Sequence, residues 1–170
     1  TIAQPQRFLP AIQAVRHSLD AGELGEPGLL RIHRWTSEVD GDPTQRLLGE
    51  IDLAIHLFDR PPETIYAIAR ESGNSPRLAQ VHLGFEGGSM ALVDVTTGLP
   101  AGDDYYSLSL IGADGSAYAD DHHNAHLLFR GGTPSALKAE QGEQCLTTQV
   151  QEFVDAVTEE REPAITGTEG

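Results

Sequence analysis

Asp52 and His56 stand four residues apart in GEIDLAIHLFDRPPETIYAIA (49–69), inside an otherwise apolar run. On a helix that spacing puts both side chains on one face, with Cβ atoms about 5–6 Å apart. A carboxylate beside an imidazole favours the ring's charged form and fixes its orientation. His56 could then pass a proton to or from a hydroxyl, while Asp52 holds the ring or a sugar-like substrate. The same spacing also suits an ordinary helix ion pair, or a core histidine satisfied by an acid. The residues alone leave these readings open.

The other concentration of ligand-type side chains is DDHHNAH, with Asp120, Asp121, His122, His123 and His126. Its spacing matches no zinc pattern, and adjacent histidines on a strand point to opposite faces, so it reads as a polar loop and no metal is expected. Cys145 is the single cysteine, which excludes an internal disulfide framework and fits a reducing compartment. Gly87–Gly88 and Gly131–Gly132 read as turns. No G-x-G-x-x-G opens a helix after a strand, and there is no phosphate loop, G-x-S-x-G elbow or pair of C-x-x-C motifs. No cofactor-binding residues are therefore assigned to this chain.

The elements that must position Asp52 and His56 follow from periodicity. Ala11, Ile12, Val15 and Leu19 recur at helical spacing after Pro10, and Gly22 is a stop. GLLRIHRWTSEV alternates as a strand. A helix over Thr44–Phe58 buries Leu47, Ile51, Ala54, Ile55 and Phe58, and the proline pair of DRPPE ends it. Strand-like segments follow, joined by hairpin signals at Gly87–Gly88 and at Ala113–Gly115. Val150, Phe153, Val154 and Val157 mark a last helix. In SMALVDVTTG, Met90, Leu92 and Asp94 share one face while Ala91, Val93 and Val95 share the other. Both faces carry apolar groups, which calls for helices on one side and a partner on the other. The order predicts an α+β fold: a mostly antiparallel, open-faced sheet with helices packed on one face, in a single domain over 1–170.

The chain has 170 residues, a formal net charge of −15 and one lysine, Lys138. Such a field repels phosphate backbones, so nucleic acid is excluded as a partner. No apolar run approaches the ~20 residues of a membrane span. TIAQPQRFLP lacks the apolar stretch of a signal peptide, so a cytoplasmic location is expected. The TIA start, with no initiator methionine, reads as the middle of something longer.

QRFLPAIQAVRHSLDAGELGEPGLLRIHRW resembles the opening of the C-terminal domain in the glucose–fructose oxidoreductase / inositol dehydrogenase family. EIDLAIHLFDRPPETIYAIA is similar to that family's D-x-x-x-H helix, its break and the strand after it. LGFEGGSMALVDVT, LSLIGADGSAYADD and FVDAVTEEREPAITGTEG resemble its later hairpins and closing segment.

The resemblance implies the C-terminal domain of a two-domain, NAD- or NADP-dependent oxidoreductase acting on a sugar, cyclitol or similar polyhydroxylated compound. Asp52 then matches the substrate-contacting acid and His56 the histidine near the reacting hydroxyl. Arg7 and Phe8 match the structural segment after the domain crossover. The open sheet face implies self-association. The nucleotide-binding Rossmann domain, the glutamate–lysine–proline motif with its catalytic lysine, and the final helix have no counterpart here, and Lys138 cannot serve for that lysine. The chain is therefore expected to be a fragment, with NAD or NADP in the intact protein, none bound to this chain, and no turnover by it alone. A free-standing, non-catalytic interaction module using the sheet face is the alternative.

Overall fold

The computed structural model describes residues 4–37, 43–70, 77–120, 125–130, 133–138 and 143–167, with backbone alone for 43, 45, 120, 125–130, 133–138, 143 and 144. A 3₁₀ turn, Pro5–Phe8, leads into α1 (Pro10–Asp20), β1 (Pro27–Thr36) and α2 (Pro43–Phe58). Then come β2 (Thr64–Arg70), β3 (Arg77–Gly84), β4 (Met90–Thr97), β5 (Tyr105–Gly112), β6 (Gly115–Asp120), β7 (Ala125–Arg130), β8 (Thr133–Lys138) and α3 (Glu143–Thr158).

Local chemistry sets the ends of these elements. Pro10 opens α1, where its fixed φ fits and its missing N–H costs nothing. At the other end Gly22 has φ +72, and the Glu23 N–H donates to the Ser18 carbonyl at 2.9 Å. α2 stops where Asp59 adopts φ 55, just before the proline pair. Gly87 and Gly88, at φ +83 and +84, turn β3 into β4.

The strands of the described residues form one sheet in the order β2-β3-β4-β1-β5-β6-β7-β8. The fold is α+β, and the sheet is mixed: it holds a parallel pairing that the antiparallel expectation did not include. β1 and β4 pair in parallel at its centre, Leu30 against Ala91 and Ile32 against Val93. The other pairings are antiparallel. The reason is topological: the chain leaves β1 through α2, runs out to the edge at β2, and returns by β3, so β4 meets β1 in the same direction. Counting hairpin signals could not reveal that crossover.

α1 and α2 cover one face of this sheet. Ile12 and Val15 of α1 and Leu53, Ala54, Leu57 and Phe58 of α2 meet Leu30, Ile32, Val81, Val93, Val95, Leu108 and Leu110 in one buried cluster. Phe58 stacks on Phe85, with ring centroids 4.3 Å apart. Ala91, Val93 and Val95 point inward, as their alternation predicts, and Met90 is 53% exposed on the opposite face.

The buried stripe of α2 differs from the expected one. Ala54 and Phe58 are buried as expected, but so are Leu53 and Leu57, while Leu47, Ile51 and Ile55 are half-buried and the acids Glu50 and Asp52 are buried. Apolar residues lie nearly all round this helix, so periodicity alone could not orient it. α3 shows the opposite: Cys145 and Ala156 are buried, while Val150, Phe153, Val154 and Val157, the residues that announce the helix, are exposed. Cys145 packs with Phe8 and Ile165 in a second small cluster.

One close backbone approach carries a test. A Cβ placed on Gly112 would lie 2.1 Å from the Leu24 carbonyl oxygen, where β5 ends against the turn after α1. Gly112→Ala is expected to lower the unfolding free energy by about 1–3 kcal/mol in urea titrations. A change within about 0.5 kcal/mol, the usual range for a surface substitution, would contradict this contact. No described helix is long and apolar enough to cross a membrane.

Candidate functional site

Asp52 sits in the middle of α2 with both carboxylate oxygens engaged by one partner. Arg7 Nη2 donates to Oδ1 at 2.5 Å and Arg7 Nε donates to Oδ2 at 2.9 Å, in a two-pronged ion pair that is 8% and 9% exposed at the two residues. The 3₁₀ turn brings Arg7 there, because Pro5 fixes its first residue and Phe8 anchors its end in the Phe8–Cys145–Ile165 cluster. The planar guanidinium fork matches a carboxylate in this way, which an ammonium cannot do.

His56 lies one turn further along α2. It lines a cavity of about 270 Å³ together with Arg7, Phe8, Gln13, Arg16, His17, Asp20, Ala164 and Ile165. Asp52 is not among the lining residues; its link to the cavity is Arg7. Arg16 crosses from α1, donating from Nη1 to the His56 carbonyl at 3.0 Å and from Nη2 to Asp20 at 2.6 Å. The fixed charges of the lining therefore pair off, Arg7 with Asp52 and Arg16 with Asp20. Beside these paired charges the lining offers two imidazoles, an amide and the apolar Phe8 and Ile165. Paired charges with several hydrogen-bonding groups suit an uncharged hydroxylated ring.

A second polar centre, which the sequence reading did not single out, lies at the other half of α2. Glu50 is fully buried; its Oε1 accepts from Arg34 Nε at 2.9 Å and from Gln6 Nε2 at 3.3 Å. Oε2 is buried with no hydrogen-bond partner. Burial pushes the Glu50 carboxyl above its ordinary value, against the opposing pull of Arg34 and Arg46. Arg34 lies over the Tyr106 ring, 3.9 Å from its centroid. The available signal was parity: Arg34 continues the inward row of Leu30 and Ile32, so a half-buried cation there needed an acid from the covering helix.

On the open face, Trp35 Nε1 donates to Asp94 Oδ1 at 2.9 Å, and His33 Nδ1 is 3.6 Å from Asp94 Oδ2. His33 and His82 are sheet-surface residues here, the latter edge-on to Tyr66. Of the Asp120–His126 cluster, residues 121–124 lie outside the described residues. Among the described residues no group of three His, Cys, Asp or Glu could hold a metal.

The residues do not fit a dinucleotide. α2 is entered from β1 through a sequence carrying Glu38, Asp40 and Asp42 around a single glycine, and α3 through AEQG. The described left-handed glycines lie in turns after α1, between β3 and β4, and between β4 and β5. A pyrophosphate needs glycine-backed N–H groups at a helix start, and acids there repel it.

No family model matches this sequence, and no curated protein does. Solved structures do. UDP-N-acetylglucosamine 3-dehydrogenase GnnA from Acidithiobacillus ferrooxidans matches with a TM-score of 0.84 at 18% identity, over 99% of this chain and 56% of that one. Levoglucosan dehydrogenase in complex with NADH matches with a TM-score of 0.81 at 13% identity, over 96% of this chain and 58% of that one. Biliverdin reductase from Synechocystis sp. PCC 6803, in complex with biliverdin and NADP+, matches with a TM-score of 0.79 at 18% identity, over 98% and 57%. At these identities the likeness is one of fold. The fold is the one carried by a little over half of each of these dehydrogenases and reductases, two of them solved with NADH or NADP+, and the resemblance read from the sequence is borne out at that level.

Proposed function

We propose that this chain is the substrate-binding and oligomerisation part of an NAD(P)-dependent oxidoreductase acting on a sugar, cyclitol or similar polyhydroxylated compound. The observation that carries this reading is the His56 cavity, its charges paired and its lining rich in hydrogen-bonding groups, set in a fold shared with dehydrogenases. In it His56 takes the substrate hydroxyl and moves its proton. Asp52 is a positioning residue, acting through Arg7. Hydride exchange belongs to a nicotinamide held outside these residues.

Calorimetric titration with uncharged polyols and sugars tests it. Saturable binding is expected, weakened about tenfold by His56→Ala, the equivalent of one lost hydrogen bond. Binding unchanged in that variant removes His56 from the site.

Self-association through the open sheet face is the second part of the proposal. A groove of about 400 Å³ there is lined by Leu29, Tyr66, His82, Met90 and Leu92, with Arg31 beside them. The chain carries −15 overall, yet the positions of this face on β1 to β6 include Arg31 and Arg70 against two acids, Asp94 and Asp120. A face that escapes the general negative charge can meet its own copy without repulsion. Sedimentation velocity is expected to show a dimer that Met90→Asp dissociates; a monomer at high concentration would contradict it. The exposed apolar side of α3 is a further surface of the kind that other protein covers. The interaction-module alternative rests on these two surfaces, and sugar binding at His56 separates it from the enzyme reading.

A further inference from the structure

We propose that the Arg34 guanidinium, stacked on Tyr106 and held at Nε by the buried Glu50, is a docking point for an oxyanion that engages its two terminal nitrogens. The class is a phosphate or a carboxylate group.

The arrangement is that of a prepared fork. Arg34 makes its ion pair through Nε, 2.9 Å from Glu50, while its face rests 3.9 Å above Tyr106. Neither Nη1 nor Nη2 has a partner among the described residues, and the side chain keeps 26% of its surface open. Arg7 is engaged through Nε and Nη2 and Arg16 through Nη1 and Nη2, so each of them spends at least one terminal nitrogen on its partners. Arg34 is engaged at its neck, so both terminal NH₂ groups remain for a planar or tetrahedral oxyanion. Tyr106 is 8% exposed and Glu50 is fully buried, so the guanidinium is fixed from two sides before any ligand arrives.

The charges around the fork give the site a proton coupling. Arg46 acts electrostatically on Glu50 from the same helix and also on Asp104, which accepts from the Ser37 N–H. With Glu50 ionised, Arg34 is already paired and an added anion gains little. Glu50 Oε2 has no partner among the described residues and can take a proton without giving up a hydrogen bond. A neutral Glu50 leaves Arg34 without its counter-charge, so oxyanion binding is accompanied by proton uptake there. The site is separate from the His56 cavity: Glu50 and His56 are six residues apart on α2, about 9 Å along its axis.

The test titrates the protein with inorganic phosphate and, separately, with acetate, following the arginine side-chain N–H signals by NMR. Saturable binding by either ion is expected, and the ion that binds identifies the source. Arg34→Ala could unfold the chain by stranding Glu50, so the informative variant is Arg34→Gln with Glu50→Gln, which keeps a neutral hydrogen-bonded pair. It is expected to weaken binding about tenfold. Glu50→Gln alone is expected to bind at least as tightly as the parent and to lose the proton uptake. Absence of saturable binding, or equal binding by the double variant, overturns the proposal.

Discussion

Arg7→Ala is expected to destabilise the protein by about 3–5 kcal/mol, among the largest effects of any single substitution here. The cost does not come from the attraction of the pair. It comes from what is left behind, a carboxylate at Asp52 that is 9% exposed, with both oxygens having lost their donors. An exposed pair would be worth about 0–1 kcal/mol, so the size of the loss reports the burial. Replacing both members with apolar groups of similar volume, Arg7→Met with Asp52→Leu, is expected to recover most of it, because no orphaned charge remains. Urea unfolding of the two variants checks this. A loss below about 1 kcal/mol for Arg7→Ala would mean that the pair is solvated. The double variant also bears on function: it should fold and still bind polyols poorly, since Arg7 lines the His56 cavity.

The second large effect is a pH dependence centred on Glu50. Its folded-state pKa is raised, first by burial, above the ordinary value of 4.5. Between the unfolded and folded values the native state holds more protons than the unfolded one. Stability therefore falls as pH rises through that window and is greatest below it. This is the reverse of the usual paired carboxylate. Arg34→Met removes the largest opposing influence and should steepen the fall, with an expected loss of about 3–5 kcal/mol at neutral pH. Glu50→Gln should flatten the Glu50 contribution. Thermal unfolding across pH 4–8 reads both, as roughly a 4–8 °C shift in Tm per kcal/mol for small domains and about half that for larger ones. An Arg34→Met variant whose stability curve parallels the parent's would contradict the buried pair.

Much of the fold could be read from residue pattern because its signals are local. Gly22, the Asp59–Pro62 break and the Gly87–Gly88 turn act within a few residues of themselves, and each falls where the pattern puts it. The parallel β1–β4 pairing was hidden because it joins residues about 60 apart, and nothing in either strand records its neighbour's direction. α2 was misoriented for a related reason. Its burial is decided by Arg7 and Arg34, which come from the 3₁₀ turn and from β1, and these make Glu50 and Asp52 tolerable inside. The same fact accounts for the site. The sequence singles out Asp52 and His56 as neighbours on a helix, and the helix forms, but Asp52's contacts are settled by a residue 45 positions away. His17 and Arg16 were invisible as site residues because only the packing of α1 on α2 brings them to His56.

The imidazole signals offer the most direct measurement. The protein has seven histidines, of which His17 and His56 line the cavity while His33 and His82 lie on the open sheet face. Titrating an uncharged polyol that binds, while recording the ring C–H resonances, should move His17 and His56 together with one saturation curve and leave His33 and His82 in place. Shifts confined to His33 and His82, or a bound polyol that moves none of the four, would contradict a substrate site at His56.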